Sequence, residues 1–294
     1  MLRGSMVALV TPMDDGGAVD HAALEKLVDW QISAGTDVIV AVGTTGESAT
    51  LNVDEHLDVV QRVVQRSAGR VRVMAGTGAN STQEALELTK AACKLGVDAC
   101  LLVTPYYNKP TQEGLYQHFR FLAEHVDVPL VLYNVPGRTG VDLFNETVVR
   151  LADIPNIVGI KDATGQLGRG IDLIHALQGR MAVYSGDDAT AAALMLMGAQ
   201  GNISVTANVA PQAMALLCKA ALHGQVEEVR RLDAPLRALH RDLFVEANPI
   251  PVKWALARMK KIQPDLRLPL TPLAEGLHAV VERALLAAGL LECD

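Results

Sequence analysis

The chain has 294 residues, half of them hydrophobic, and its formal charge of −7 at pH 7 comes from interspersed acidic and basic residues. This length allows a large core in one unit, and the acidic balance argues against nucleic acid or an anionic membrane as a partner. The four cysteines lack metal-ligand spacing and the N-terminal apolar run is too short for a signal peptide, so we expect reduced thiols and a cytoplasmic location.

Short β-branched runs alternate with segments of helical periodicity from the start of the chain. The predicted strands are residues 6–10, 37–42, 71–75, 99–103, 130–133, 157–160, 182–184 and 201–205. The predicted helices are residues 21–34, 53–67, 82–95, 112–125, 145–151, 168–177 and 189–197. Continuous apolar strands alternating with helices favour parallel pairing, and eight units predict a closed (β/α)8 TIM barrel. A doubly wound open sheet is the alternative.

The chain after the last predicted strand has a helical pattern from residue 211 to 291, with breaks at Gly224, near residues 249–251 and around residues 264–272. We predict a catalytic barrel over residues 1–224 and a C-terminal helical region over residues 225–294. Because no low-complexity linker separates the two, we expect this C-terminal appendage to pack on the barrel.

Lys161 directly follows an apolar strand, whereas the other eight lysines fall in helices or loops. Active sites of such barrels lie where strands end, and partial burial there favours the neutral, nucleophilic amine. We therefore expect Lys161 to be a nucleophile of the kind that forms a Schiff base with a carbonyl substrate. The alternative is an ion pair with Asp162 or Asp187.

Other polar residues at predicted strand ends are candidates for binding and proton transfer. Tyr133 ends the preceding strand and is a candidate proton donor, although tyrosines also occupy such positions for packing. Thr44 and Thr45 follow Gly43 in a turn that could hold a carboxylate, or that could simply cap a helix. The guanidinium of Arg138 suits a second carboxylate, and the alternative is a solvated loop arginine.

The sequence shows no metal or nucleotide motif. There is no HExxH, no CxxC pair, and the eight histidines are scattered. The turn Gly76-Thr77-Gly78-Ala79-Asn80 lacks both the full GxGxxG pattern and the lysine of a phosphate-binding loop. We therefore predict no metal and no cofactor.

Four ordered motifs at barrel spacing carry a resemblance to a known family. They are Gly43-Thr44-Thr45-Gly46-Glu47, Thr104-Pro105-Tyr106-Tyr107-Asn108-Lys109-Pro110, Tyr133-Asn134-Val135-Pro136-Gly137-Arg138-Thr139 and Gly159-Ile160-Lys161-Asp162. In these motifs the chain resembles the dihydrodipicolinate synthases. The likeness extends from residue 6 to about residue 260 and ends with Asn248-Pro249-Ile250-Pro251-Val252-Lys253.

The resemblance implies a condensation of pyruvate with L-aspartate 4-semialdehyde, without a cofactor, on the route to diaminopimelate and lysine. It implies that Lys161 forms the imine with pyruvate and that Tyr133, Thr44 and Tyr107 form a proton relay. In this family the tyrosine at the position of Tyr107 reaches in from a neighbouring subunit. A homotetramer built from tight dimers is therefore implied.

The resemblance also implies residues that bind the two substrates. Thr45, with help from the backbone of Thr44, matches the site for the pyruvate carboxylate. Arg138 matches the residue that receives the carboxylate of the semialdehyde. Gly186 and Ile203 match positions that line the pocket.

Some relatives bind L-lysine as an inhibitor at the dimer interface. The matching positions are Ser48, Ala49, His56, Asn80, Glu84 and Tyr106. By resemblance, Glu84 receives the ammonium of lysine, while Asn80 and Tyr106 receive its carboxylate. Position 53, often a second histidine there, is Val53 in this chain. The alternative is that His56 and Glu84 are solvated helix residues.

Two other functions are compatible with parts of the pattern. N-acetylneuraminate lyase and 2-keto-3-deoxy sugar-acid aldolases share the lysine and the tyrosine, but they usually lack the Gly137-Arg138-Thr139 pattern and the tyrosine pair followed by Asn108-Lys109-Pro110. A catalytically silent relative, acting as a small-molecule sensor or scaffold, predicts a lost lysine or tyrosine. Neither is lost here.

Overall fold

The computed structural model describes residues 2–292 and contains a closed barrel of eight parallel strands in chain order. The strands are β1 Gly4–Ala8, β2 Val38–Ala41, β3 Arg72–Gly76, β4 Ala99–Val103, β5 Leu130–Asn134, β6 Ile157–Asp162, β7 Ala182–Ser185 and β8 Gly201–Ser204. Each strand pairs with its neighbours in sequence, and β1 pairs with β8 to close the ring. The predicted TIM barrel is confirmed, and the open sheet is wrong.

The first strand begins two residues earlier than its predicted start at residue 6. Gly4 and Ser5 pair with Gly201 and Asn202 of the last strand. Because this pairing uses backbone groups, small and polar residues join the ladder as readily as apolar ones. An apolar pattern therefore cannot reveal where this strand begins.

Helices surround the barrel and continue beyond it. Their bounds are α1 His21–Ser33, α2 Val53–Ser67, α3 Thr82–Lys94, α4 Gln112–Ala123, α5 Pro136–Thr139, α6 Asn145–Leu151, α7 Leu167–Leu177, α8 Asp188–Leu196, α9 Pro211–Leu222, α10 Val226–Asp233, α11 Arg237–Asp242, α12 Ile250–Arg258 and α13 Glu275–Ala287. The seven predicted helices are present with ends shifted by two residues or fewer. The short α5 was not predicted, because its four residues read as a turn.

The C-terminal helices break where the sequence predicts. Helix α9 ends before Gly224, which has φ of +68°, and α12 begins at Ile250. In the described chain, no helix lies between Arg258 and Glu275. Helix α10 packs on α9, and α11 packs on α8 and α13. The domain boundary between residues 224 and 225 stays a prediction.

The strands separate two hydrophobic clusters, as alternating side chains on a barrel require. The larger cluster fills the space between the strands and the helices. The smaller cluster fills the inside of the barrel and comprises Met6, Ala8, Val38, Val40, Met74, Ala99, Leu101, Val131, Tyr133, Ala182, Tyr184 and Ile203. Two residues singled out from the sequence, Tyr133 and Ile203, thus belong to the barrel interior.

Three cysteines of the described chain, Cys93, Cys100 and Cys218, are free thiols. Burial raises the pKa of Cys100 and of Cys218 to about 12, which keeps both thiols protonated and unreactive. Cys293 lies outside the described residues.

None of the helices within residues 2–292 is both long enough and apolar enough to cross a bilayer.

Candidate active site

Lys161 lies near the carboxyl end of β6, next to Tyr133 of β5 and Tyr184 of β7 in the register of the barrel. Its side chain is buried, with 6% of its surface exposed. The Nζ atom lies 4.2 Å from the centre of the Tyr133 ring. The two residues predicted for imine formation and proton transfer therefore touch inside the barrel mouth.

Asp162 and Asp187, the two acidic residues predicted as alternative partners of Lys161, are bonded elsewhere. Asp162 accepts a hydrogen bond from the backbone N–H of Thr164, and burial raises its pKa. Asp187 caps α8 by accepting bonds from the backbone N–H and hydroxyl of Thr190. Within residues 2–292, Lys161 has no carboxylate within 4.0 Å of its amine. The predicted alternative of an ion pair is therefore wrong, because both carboxylates already have other partners.

Gly186 leaves the space that the Lys161 side chain occupies. A Cβ atom at this position would lie 2.8 Å from Cε of Lys161 and 2.8 Å from Cβ of Ala163. Carbon atoms do not approach so closely without displacement. The absence of a side chain at Gly186 thus allows Lys161 its position, and the lining of the substrate pocket by Gly186 stays a prediction.

The turn after β2 carries Thr44 and Thr45. Thr45 is buried, and its Oγ1 accepts a hydrogen bond of 2.9 Å from Nδ2 of Asn248. Helix α2 is capped by Asn52, which forms a reciprocal pair of bonds with Glu55. The alternative that the two threonines form an ordinary helix cap is therefore wrong.

Arg138 lies in α5, just after β5, and its Nη2 donates a 2.9 Å hydrogen bond to the backbone carbonyl of Asn248. This bond anchors the guanidinium, although the residue is exposed overall. Thr44, Arg138 and Asn248 all line one cavity of about 340 Å³. The cleft thus contains Thr44 and Arg138, while Thr45 is connected to it through Asn248, and Arg138 is not a freely solvated arginine.

Tyr107 and Ile203 lie in contrasting environments. Ile203 is buried in the barrel interior. Tyr107 is 89% exposed, has φ of +74° and is not among the residues that line the cleft. Within this single chain, the structure does not bring the Tyr107 side chain to the other predicted relay residues.

The residues predicted for lysine binding lie mostly along the same cleft. Its walls include Ser48, Ala49, Val53, His56, Glu84 and Tyr106. Asn80 is half-buried, and its backbone carbonyl accepts a hydrogen bond from Asn108. Burial raises the pKa of Tyr106, and the Glu84 carboxylate acts in the same direction. Glu84 and Tyr106 are therefore close enough to influence each other.

His56 is not the solvated helix residue of the alternative interpretation. It is buried, and its Nε2–H donates a 2.8 Å bond to the carbonyl of Gly76. Burial lowers its pKa, which favours the neutral ring. Glu84, by contrast, is exposed as that interpretation expects.

Sequence reasoning missed two residues that contact this region from the C-terminal part of the chain. Asn248 bonds to Thr45 and Arg138, and Lys253 forms a 2.6 Å ion pair with Glu47. The only sequence signal for them was the motif over residues 248–253, which carried no chemical role. Contacts across some 200 residues leave no local pattern.

Comparisons with known proteins agree with this geometry. The model of the dihydrodipicolinate synthetase family matches residues 1–288. The 4-hydroxy-tetrahydrodipicolinate synthase of Marinobacter nauticus is 65% identical over 292 residues, covering 99% of this chain and 100% of the relative. The dihydrodipicolinate synthase of Acinetobacter baumannii complexed with pyruvate is 60% identical, with a TM-score of 0.98 and coverage of 99% and 100%. The enzyme of Cyanidioschyzon merolae with lysine bound is 40% identical, with a TM-score of 0.94 and coverage of 99% for both chains. The chain therefore belongs to the dihydrodipicolinate synthetase family.

Proposed function

We propose that this chain is a lyase that condenses pyruvate with L-aspartate 4-semialdehyde to give 4-hydroxy-tetrahydrodipicolinate, on the diaminopimelate route to lysine. Family membership and the 65% identity to the Marinobacter synthase support this reaction. The observation that carries the mechanism is Lys161, a buried amine at a barrel strand end that has no ion-pair partner within the described chain. An amine in this position is available to attack a ketone.

The reaction proceeds in balanced steps through Lys161. Its amine attacks the keto carbon of pyruvate, and loss of water gives an imine. Loss of a methyl proton gives an enamine, whose carbon adds to the aldehyde carbon of the second substrate. The amino group of that substrate then attacks the imine carbon and displaces Lys161 as the ring closes. The lysine is regenerated, and no oxidation or reduction occurs.

Proton transfers at the reacting carbon require a donor close to Lys161. Tyr133 is the candidate, because its ring contacts the Lys161 amine. We assign Thr44 and Tyr107 to the same relay, by resemblance to the family. We expect Tyr133→Phe to lower turnover about a hundredfold while pyruvate still becomes trapped on Lys161. A variant that keeps full turnover would remove Tyr133 from the relay.

The carboxylates of the two substrates have separate candidate sites. We assign the pyruvate carboxylate to Thr45 and the backbone of Thr44, and the semialdehyde carboxylate to Arg138. A hydroxyl and a guanidinium anchored by hydrogen bonds suit these anions. Gly186 provides space beside Lys161, and Ile203 forms an apolar wall inside the barrel.

We propose a homotetramer built from tight dimers, in which Tyr107 acts in the site of a neighbouring subunit. Its exposure and its left-handed backbone, which is unusual for a bulky residue, support a role outside its own chain. Light scattering should give the mass of four chains. A fully active monomer at assay concentration would overturn the assignment of Tyr107.

We also propose that L-lysine inhibits the enzyme by binding the cleft residues Glu84, Asn80 and Tyr106. The carboxylate of Glu84 can pair with an ammonium, and the relative solved with lysine bound supports a lysine site in this family. Val53 replaces a frequent histidine there, so we expect weaker inhibition than in relatives that have it. An inhibition curve that stays flat to millimolar lysine would exclude this regulation.

We place the enzyme in the cytoplasm. Cys93, Cys100 and Cys218 are free thiols, and unpaired thiols persist in reducing compartments. Fractionation of the source cells should recover the activity with cytoplasmic markers.

Borohydride reduction in the presence of pyruvate, followed by peptide mapping, tests the central step. The Lys161 peptide should gain the mass of one reduced pyruvate, whereas the Lys253 peptide of the same digest should stay unmodified. An unmodified Lys161 would revive the sensor hypothesis. Parallel assays of pyruvate with aspartate semialdehyde, and of sialic acid cleavage, distinguish the synthase from its sibling aldolases.

A further inference from the structure

Asn248 contacts both residues that we assign to the substrate carboxylates. Its side chain amide donates a 2.9 Å hydrogen bond to Oγ1 of Thr45. Its backbone carbonyl accepts a 2.9 Å bond from the guanidinium of Arg138. Asn248 is itself buried and forms part of the cleft wall. One residue outside the barrel strands thus joins the turn after β2 to helix α5 after β5.

The bond to Thr45 determines what its hydroxyl can do. A threonine hydroxyl has one proton to donate and lone pairs that accept. Because the amide of Asn248 donates to the oxygen, the single proton of Thr45 remains free for another acceptor. A carboxylate only accepts hydrogen bonds. The bond from Asn248 therefore prepares Thr45 to donate to a carboxylate.

The helix that follows Asn248 is fixed to the same turn. Lys253, in α12, is fully buried and donates to the carboxylate of Glu47 at 2.6 Å and to the carbonyl of Thr11 at 3.0 Å. Glu47 lies two residues after Thr45. These bonds hold the position of Asn248 relative to Thr45.

The Asn248 side chain is not placed for stability alone. Its Oδ1 atom is buried and has no hydrogen-bond partner within residues 2–292. A buried polar atom without a partner lowers stability. Residues that lower stability while facing a binding cleft are typical of functional positions.

We infer that Asn248 is a positioning residue for pyruvate binding, acting through the hydroxyl of Thr45. This inference rests on the proposed function. Because the contact to Arg138 uses the backbone, replacement of the side chain affects the two substrates differently. The half-saturation concentration for pyruvate should rise in Asn248→Ala, while the KM for the semialdehyde and the maximal rate stay nearly unchanged.

The first measurement is a pyruvate titration of borohydride trapping, which needs neither turnover nor the second substrate. In Asn248→Ala the half-saturation concentration should rise about threefold to tenfold, as expected for one lost hydrogen bond. Steady-state assays should show KM for the semialdehyde within about twofold of wild type, because the Arg138 contact is kept. Wild-type protein that is not trapped would refute the proposed function itself, whereas trapped wild type with an unaffected variant refutes only this inference.

A double-mutant cycle tests the route through Thr45. Thr45→Val removes the hydroxyl, so adding Asn248→Ala to it should cause no further rise in the half-saturation concentration for pyruvate. Effects that multiply in the double variant would overturn the inference, as would equal rises in KM for both substrates.

Asn156→Ala is the matched control, because that asparagine also bonds to two partners but lies at the opposite end of the barrel. It should change thermal stability only. Asn248→Leu has a similar size, no side-chain N–H to donate and no charge, and it serves the same test if the alanine variant does not fold.

Discussion

Two buried lysines, Lys161 and Lys253, have opposite surroundings. Their exposed fractions are 6% and 0%. The amine of Lys253 donates to the Glu47 carboxylate and to the Thr11 carbonyl. Burial lowers the pKa of Lys253, and the charge of Glu47 acts in the opposite direction. Lys161 has no carboxylate within 4.0 Å of its amine in the described chain, and that amine lies 4.2 Å from the centre of the Tyr133 ring.

The contrast distinguishes a lysine that stabilises the fold from a lysine that is available for catalysis. Burial of an ammonium is unfavourable unless a counter-charge and hydrogen bonds compensate it. At Lys253 the Glu47 carboxylate and the Thr11 carbonyl supply that compensation, and the ion pair joins α12 to the turn after β2. At Lys161 it is missing, which is unfavourable for stability but leaves a nucleophile available. Burial alone therefore does not indicate function, whereas burial without a partner does.

Among the substitutions predicted here, replacement of Lys161 should produce the largest effect. It should lower activity and leave stability nearly unchanged. We expect Lys161→Met to lower turnover at least about a thousandfold, because the imine cannot form. Its free energy of unfolding should stay within about 1 kcal/mol of wild type, since no ion pair is lost. Lys90→Met, at an exposed helix position, is the control and should keep full turnover. If Lys161→Met unfolded as easily as a Lys253 variant, the contrast between the two lysines would fail.

Replacement of Lys253 should act on stability first. Lys253→Met leaves the Glu47 carboxylate buried without its partner, so the free energy of unfolding should fall by about 3–5 kcal/mol in urea titrations. Adding Glu47→Gln removes the stranded charge and should restore more than half of this loss. Additive losses in the double variant would show that the two residues do not act as a pair.

Replacement of Gly186 by alanine adds one carbon atom beside Lys161. This substitution should have a smaller effect than replacement of either lysine. The new Cβ of Gly186→Ala would lie 2.8 Å from Cε of Lys161, so the lysine must move. We expect turnover to fall about tenfold to a hundredfold, as for a reacting group displaced by about 1 Å. Gly276→Ala, in α13 with open space around it, is the control and should keep full activity. Unchanged kinetics in Gly186→Ala would mean that the position of Lys161 is not critical.

The barrel and Lys161 could be predicted because their signals are local. Apolar strands alternate with helices along the chain, and a lysine that ends a strand must lie at the barrel mouth. The absence of an ion pair at Lys161 could not be predicted, since it depends on where Asp162 and Asp187 direct their hydrogen bonds.

Asn248 and Lys253 could not be predicted for a different reason. Both lie in the C-terminal region, and their partners Thr45 and Glu47 are about 200 residues away. A lysine within a helix gives no local sign of whether it faces water or a buried carboxylate. Only the tertiary packing of α12 on the turn after β2 reveals it.

The smallest effect is expected at an ion pair that is only partly buried. Glu55, near the start of α2, is bonded at both carboxylate oxygens by Arg267, which lowers its pKa from 4.5 to about 2. Its folded pKa is depressed, so the stabilisation is complete above the unfolded value of 4.5 and is lost as pH falls towards 2. Because solvent reaches both side chains, we expect Glu55→Gln to lower the free energy of unfolding by only about 1 kcal/mol at neutral pH.

Urea titrations of wild type and Glu55→Gln at pH 7, 5 and 3 should show this difference in full at pH 7 and reduced at pH 3. Glu227→Gln is the control, since its pair with Arg230 is exposed, and it should change stability by less than about 0.5 kcal/mol at each pH. If the difference in free energy of unfolding between wild type and Glu55→Gln did not depend on pH, the variant would have lost packing contacts or the helix cap rather than a charge interaction. In that case the charge interaction of the partly exposed pair would contribute nothing measurable to stability. Only a fully buried pair, such as Lys253 with Glu47, would then stabilise the fold through its charges.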